Sequence, residues 1–243
     1  MIKQKRKMRR LQVKLMSVQS SVFPLAASAL PLLSGCLACD PTNCIIVWRR
    51  RVAIVIDPGG DGMKIARFLK RNKLTVGEYW LTHAHPDHVG ALPALLDDFP
   101  APVRFHKDDA WLFRMPLVHL NSDKSKWLEP FGNIRLILCD DIVAKVIGTP
   151  GHTSGSVCYW FEDDGILLSG DTLVRRNVGD TNPLFGGNAE RLESSLRKII
   201  RRIPDGTMIY PGHGSLTSMG NERYSNPYLP ANCRSSVKHC KMK

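Results

Sequence analysis

The stretch LTHAHPDHVG, Leu81–Gly90, places three of the chain's eight histidines and one aspartate within six residues. In an extended chain alternate side chains point the same way, so His83 and His85 are expected to face one point. Asp87 and His88 are consecutive and must diverge, which directs them toward a neighbouring point. Imidazole and carboxylate groups are ligands for zinc and also for iron or manganese. The stretch therefore predicts ligands for two neighbouring metal ions.

Three later segments share one design. AKVIGTPGH ends at His152, GILLSGD ends at Asp171 and TMIYPGH ends at His213. Each contains a run typical of a β-strand, then a glycine, then a residue able to bind a metal. Glycine lets the backbone turn sharply and approach other groups closely. Because functional residues commonly lie on loops held by a rigid scaffold, these loops and LTHAHPDHVG are expected to present ligands at one edge of a sheet.

The rest of the chain predicts more strands than helices. Helical spacing of apolar residues marks GMKIARFLKRN, VGALPALLDDF and NAERLESSLRKIIRRI, and Asn188 is the predicted N-cap of the last one. The predicted strands are CIIVW, VAIVID, VGEYWLT, NIRLILC, AKVIG, VCYWF, GILLSG and TMIY. Helices that lie between groups of strands favour layered sheets with helices outside.

The four ligand segments carry a family resemblance. THAHPDH, PGHT, SGDT and PGHG, in this order, resemble the metallo-β-lactamase superfamily of metallohydrolases. VIDPGGD before them and NERYSNPYL after them resemble the single-domain, glyoxalase II-like hydrolases. The resemblance implies an α+β fold, a four-layer αββα sandwich with the metal site at one edge. The hydrolase domain is then expected over residues 42–230, between a basic segment, 1–41, and a basic tail, 231–243, that is expected to be disordered.

The resemblance also implies a role for each ligand. The first ion would be held by His83, His85 and His152, the second by Asp87, His88 and His213, and Asp171 would bridge them. The cofactors would be two divalent ions, with Zn(II) expected and Fe or Mn as alternatives. A bridging water would lose a proton near neutral pH and attack an acyl carbonyl, with Asp87 and Asp171 as the catalytic carboxylates. Asp57, just before a tight turn, either orients a ligand histidine or only forms the turn.

The substrate positions depart from the family pattern. Glyoxalase II enzymes typically carry Lys or Arg nine residues after the bridging Asp, where it helps bind the thiol carrier, but this chain has Asp180 there. They also often carry Tyr two residues after the last His ligand, where this chain has Ser215. An acidic group would repel an anionic substrate. Arg175 and Arg176 are the alternative substrate-binding candidates.

The function implied is hydrolysis of a small-molecule acyl thioester, with hydroxyacylglutathione as the leading substrate. Three alternatives stay open: an iron-dependent persulfide dioxygenase, a lactone or β-lactam hydrolase, and a metal-binding protein without catalysis. The remaining histidines, His106, His119 and His239, are expected to have no catalytic role.

The formal charge of +12 lies mainly at the two ends of the chain. Seven basic residues precede the first acidic residue and four follow position 233, so the body is close to neutral. A basic groove is therefore not expected, and neither is a nucleic-acid partner. The protein is expected to be a monomer.

The expected cellular location of the protein depends on the segment VFPLAASALPLLSGC, residues 22–36, and on the cysteines. The apolar run is too short to span a bilayer. It is either a signal or lipoprotein segment, with Cys36 lipidated, or an apolar insertion. We expect a cytoplasmic protein, with membrane anchoring through Cys36 as the alternative. The seven cysteines are an odd number, which disfavours a disulfide framework, and no second pair completes a metal site with Cys36 and Cys39.

Overall fold

The computed structural model describes residues 10–19, 41–115, 120, 122–134, 136–139 and 141–229. The predictions that involve Cys36, Cys39, His119, His239 and the 231–243 tail lie outside these residues. Within them, Cys44, Cys139 and Cys158 are buried. No helix of the described segments is long and apolar enough to cross a membrane.

The first sheet has six strands in the order β1-β2-β3-β4-β5-β6. They are β1 Gln12–Val18, β2 Thr42–Arg49, β3 Val52–Ile56, β4 Thr75–Trp80, β5 Val103–His106 and β6 Leu128–Phe131. β1, β2 and β3 pair antiparallel, whereas β3 to β6 pair parallel. Parallel pairing requires crossover connections, and each of the three crossovers contains at least one helix.

The second sheet also has six strands, in the order β12-β11-β10-β9-β8-β7. They are β7 Leu136–Cys139, β8 Ile142–Gly148, β9 Val157–Phe161, β10 Ile166–Gly170, β11 Met208–Pro211 and β12 Thr217–Ser218. All neighbours pair antiparallel except β10 and β11, which are parallel. β8, β10 and β11 therefore run in the same direction and end at the same edge.

The helices cover the outer faces of the sheets. They are α1 Gly62–Arg71, α2 Pro86–Val89, α3 Leu92–Asp98, α4 Ser122–Ser125, α5 Ala189–Arg202 and α6 Met219–Ser225. Asn188 caps α5 as predicted, because its side-chain oxygen accepts a hydrogen bond from Arg191 N at 2.9 Å.

Three apolar layers hold the sandwich together. Between the sheets, Ile54, Ile56 and Trp80 pack with side chains from the second sheet such as Tyr159 and Phe161. On the far side of the first sheet lie Ile65, Leu69, Leu92 and Leu95, from α1 and α3, and on the far side of the second sheet lie Leu192, Leu196, Ile199 and Ile200, from α5. Full burial of such a side chain contributes about 1.5–3 kcal/mol. The predicted αββα sandwich is confirmed.

Strand β1 belongs to the fold, although the sequence analysis placed residues 1–41 before the domain. It pairs with β2 along its whole length, from Gln12 opposite Trp48 to Val18 opposite Thr42. Its Met16 and Val18 pack under the helices beside the first sheet. The strand closes the edge that β2 would otherwise expose.

Candidate metal centre

Four segments at one edge of the sandwich, one of which includes the short helix α2, bring the seven predicted ligands together. They follow β4, β8, β10 and β11, and they carry His83, His85, Asp87, His88, His152, Asp171 and His213. Hydrogen bonds across the two sheets hold this edge: Val157 N donates to Thr82 O at 2.8 Å, and Asn43 N donates to Gly212 O at 2.7 Å. Three overlapping groups could each hold a metal ion: His83, His85 and His152; His83, His88 and Asp171; and Asp87, His88 and His213. We call the His83, His85 and His152 set the first group and the Asp87, His88 and His213 set the second group.

The first group consists of three buried or nearly buried imidazoles. His85 Nδ1 lies 3.1 Å from His83 Nε2 and 3.0 Å from His152 Nε2. Burial lowers the pKa of His83 well below its usual range. Burial, and to a smaller extent the charge of the neighbouring His152, lowers the pKa of His85 to about 3. Neutral imidazoles present lone pairs, and a shared cation satisfies lone pairs that converge on one point.

The second group consists of Asp87, His88 and His213. His213 Nε2 lies 3.1 Å from Asp87 Oδ2 and 3.4 Å from His88 Nε2. Asp87 is fixed on its other side by Thr42, whose hydroxyl donates to Asp87 Oδ2 at 3.3 Å. This group has the mixed nitrogen and oxygen donors that zinc, iron and manganese accept.

Asp171 lies between the two groups. Its Oδ2 is 3.5 Å from His152 Nε2 and 3.4 Å from His213 Nε2. Its Oδ1 is buried and accepts no hydrogen bond from the residues described. Gly212 is required here, because a Cβ at this position would overlap Asp171 Oδ1. A buried carboxylate oxygen without a donor fits a site built for a cation.

The pKa shifts of the second group also favour a site for a cation. Burial raises the pKa of Asp87, but His88 and His213 outweigh it and lower the value to about 2. Burial lowers the pKa values of His88 and His213, but the carboxylates outweigh it and raise them to about 9 and about 11. The same imidazoles hold the pKa of Asp171 well below its usual range, against burial. Metal binding would replace the histidine protons.

Most ligand histidines are held through the ring nitrogen that faces away from the ligand cluster. His152 Nδ1 donates to Asp180 O at 2.8 Å, and His213 Nδ1 donates to Pro41 O at 3.3 Å. Such contacts fix the tautomer and the ring orientation of a ligand. Within the described chain two ring nitrogens are buried without a hydrogen bond: His85 Nε2, and His88 Nδ1, which lies 3.1 Å from Asp57 Oδ2 as an ion-pair contact.

Asp57 has the contacts that orientation of a ligand histidine requires. Its Oδ2 lies 3.1 Å from His88 Nδ1. The same carboxylate accepts hydrogen bonds from Thr82 N at 2.8 Å and from Thr82 Oγ1 at 2.7 Å. Because the Thr82 hydroxyl donates to Asp57, its oxygen can accept from His83 Nδ1, 3.1 Å away. This leaves His83 Nε2 free to face the first group.

Asp109 was missed by the sequence analysis. It is buried, and its carboxylate accepts hydrogen bonds from Gly155 N at 2.7 Å, Thr153 Oγ1 at 2.9 Å and Ala84 N at 3.1 Å. Burial raises its pKa to about 6, although these three donors oppose the rise. Asp109 thus ties the loop of His83 and His85 to the loop that follows His152.

The predicted substrate cations do not join the ligand cluster. Arg175 and Arg176 are exposed in a turn closed by Val174 and Asn177, where Arg176 N donates to Glu222 Oε2 at 2.8 Å. In the part of the chain that the structure describes, no Lys or Arg forms an ion pair with Asp87 or Asp171.

The two positions at which glyoxalase II enzymes carry Lys or Arg and Tyr hold an acidic and a small polar side chain here. Asp180 is 46% exposed with its Oδ1 3.5 Å from His152 Nδ1, and Ser215 is exposed. His106 packs on Phe131, with ring centroids 5.8 Å apart.

Comparisons with known proteins agree with this geometry. Residues 37–213 match the model of the metallo-beta-lactamase superfamily. Hydroxyacylglutathione hydrolase GloC of Haemophilus influenzae is 30% identical over 198 residues, which are 77% of this chain and 92% of GloC. The crystal structure of the BLEG-1 B3 metallo-beta-lactamase is 29% identical with a TM-score of 0.73, over 89% of this chain and 99% of BLEG-1. TTHA1623, solved in a di-iron-bound form, is 29% identical with a TM-score of 0.68, over 78% of this chain and 96% of TTHA1623.

Proposed function

Because this chain belongs to the metallo-beta-lactamase superfamily, we propose that it hydrolyses acyl thioesters with a dinuclear metal site, with hydroxyacylglutathione as the leading substrate. The observation that carries the proposal is a pair of three-residue ligand groups with Asp171 between them. The similarity to GloC supports a thioester as the substrate.

The two groups suit divalent cations. His83, His85 and His152 would hold one ion, and Asp87, His88 and His213 would hold the other, with Asp171 shared between them. Zn(II) suits this donor set, while Fe and Mn are alternatives, and TTHA1623 has been solved with two irons. When bound, such ions supply a nucleophile at neutral pH and polarise an acyl carbonyl.

The residues of this chain then have separate tasks. Asp87, whose Oδ2 is held by the Thr42 hydroxyl, would accept a proton from the attacking water. Asp57 orients His88 directly and His83 through Thr82, while Asp109 positions the loops of the first group. In the overall reaction a water oxygen forms the new C–O bond, the C–S bond breaks, and the sulfur leaves as a thiolate that takes up a proton.

One experiment tests this function. Metal content of the purified protein is measured, and turnover is assayed with S-lactoylglutathione, a lactone, a β-lactam and glutathione persulfide. We expect about two zinc ions per chain and thiol release from the thioester. One iron per chain, together with oxygen consumption on the persulfide, would overturn the hydrolase proposal. Hydrolysis of the β-lactam alone would overturn the thioester as substrate and favour the activity in the name of the BLEG-1 metallo-beta-lactamase.

The matched variants are Asp171→Ala and Asp163→Ala. Asp171 faces both ligand groups, so its loss is expected to lower metal content and activity together, by at least about 100-fold in rate. Asp163 is an exposed carboxylate after β9, at the opposite end of the second sheet, and serves as the control. A full metal complement with no turnover of any substrate would favour a binding protein instead.

A further inference from the structure

Apolar side chains lie directly against the first ligand group. The Phe185 ring is buried and stands edge-on to the His85 ring, with centroids 5.3 Å apart. Phe185 packs in one cluster with Leu112 and with Ala84, the residue between His83 and His85. The His85 ring therefore has an apolar neighbour in Phe185 as well as its imidazole neighbours His83 and His152.

Two residues that adjoin members of this cluster in the sequence are large, apolar and exposed. Leu184, the neighbour of Phe185, is 66% exposed, and Trp111, the neighbour of Leu112, is 40% exposed. Large apolar side chains that stay exposed beside a site with converging polar groups commonly mark where a ligand binds. We call Trp111, Leu184 and Phe185 the apolar wall.

The two segments of the wall are fixed relative to each other and to the ligand loop. Asn182 accepts a hydrogen bond from Leu184 N at 3.0 Å, and Ser154 donates to Gly186 O at 3.3 Å. A Cβ at Gly186, whose φ is +78°, would lie 3.4 Å from the Trp111 ring and 2.8 Å from Ser154 Oγ. Gly186 thus brings the turn after Phe185 against both Trp111 and the residues that follow His152.

We propose that the apolar wall is the acyl subsite and that the enzyme prefers thioesters with apolar acyl groups over thioesters of short hydroxy acids. The inference rests on the proposed thioester hydrolysis and replaces hydroxyacylglutathione with thioesters of apolar acids as the preferred substrates. On this proposal an acyl chain whose carbonyl is at the first ligand group contacts the exposed Leu184 and Trp111, while the buried Phe185 packs against the His85 ring. A lactoyl group offers a methyl and a hydroxyl and gains little from this wall.

The test keeps the thiol constant and varies the acyl group. S-hexanoylglutathione and S-lactoylglutathione are compared with the zinc-loaded protein, and we expect kcat/KM to be at least about tenfold higher for the hexanoyl ester, since each matched methylene changes discrimination by roughly tenfold or more. Leu184→Ser and Trp111→Ser are each expected to reduce that ratio about fivefold while lowering lactoyl turnover less. The control is Met63→Ser, which replaces an apolar residue that is 83% exposed on α1.

The outcomes separate the two proposals. If wild-type protein releases thiol from both esters with no preference for hexanoyl, the acyl subsite is wrong and thioester hydrolysis stands. If Leu184→Ser and Trp111→Ser lower kcat/KM equally for both esters, or by no more than Met63→Ser does, the apolar wall does not bind the acyl group. If neither ester releases thiol, the proposed function itself fails.

Discussion

Asp57 Oδ2 lies 3.1 Å from His88 Nδ1, and both side chains are almost completely buried. Through the Thr82 hydroxyl the same carboxylate also reaches His83, a member of the first ligand group. One residue outside the cluster therefore orients a ligand of each group. A carboxylate behind a ligand histidine fixes its tautomer and raises its basicity.

We predict that Asp57→Asn weakens metal binding by roughly 10–100-fold, because an amide donates where His88 and Thr82 need an acceptor. Metal competition with a chelating dye measures the affinity, and circular dichroism checks the fold. Asp61→Asn is the control, since Asp61 is exposed in the same turn and touches neither His88 nor His83. Unchanged affinity in Asp57→Asn would show that the residue only forms the turn.

Asp109 leads to a second prediction. Asp109→Asn leaves one amide oxygen for donors that now use both carboxylate oxygens, so at least one of Ala84, Thr153 and Gly155 loses its acceptor. We expect a loss of about 1–3 kcal/mol in unfolding free energy, measured with urea, and weaker binding of the first metal ion. Asp108→Asn is the matched control, because Asp108 is the exposed neighbour. Equal stabilities of the two variants would contradict the role.

The clustering of the seven candidate ligands was predictable from the sequence, whereas the contacts of Asp109 were not. His83, His85, Asp87 and His88 are close in the chain, and a strand and a glycine precede each remaining ligand, so local pattern carries the chemistry. Asp109 meets Ala84, 25 residues away, and Thr153, 44 residues away, and only folding buries it between them. In sequence it belongs to a polar turn with no distinguishing mark.

Strand β1 was missed for a related reason. It lies in a basic stretch that resembles a solvated segment, and its partner β2 begins only at Thr42. Its apolar residues are divided between two faces, with Val13 and Leu15 toward the layer between the sheets and Met16 and Val18 toward the helices. In a short strand that is partly buried on both faces, polar and apolar residues alternate only weakly. The basic composition of the stretch therefore indicated a solvated segment more strongly than the alternation indicated a strand.

The pKa values of the second group predict how the metal-free protein responds to pH. The values for His88 and His213 are raised, to about 9 and about 11, so their stabilisation is complete below the unfolded value near 6.5. This stabilisation is lost as pH rises through the pKa values that the two histidines have in the folded protein. The chelator-treated protein should therefore have a lower urea midpoint at pH 9.5 than at pH 6.

Zinc-loaded protein is the comparison, because ions that replace the two histidine protons remove this dependence. A fall of equal size in both forms would mean that other groups cause it. The measurement needs no substrate, so it tests the ligand assignment independently of turnover.

Asp180 gives the last prediction, which concerns substrate charge. Its backbone carbonyl accepts the hydrogen bond from His152 Nδ1, while its carboxylate is 46% exposed beside that ring. Asp180→Lys keeps the carbonyl and reverses the charge, so we expect KM for the anionic S-lactoylglutathione to fall several-fold with little change in kcat. Added salt should reduce the gain, because it screens exposed charges. Asp163→Lys makes the same charge change at the opposite end of the second sheet, and an equal effect there would assign the gain to net charge instead of to position.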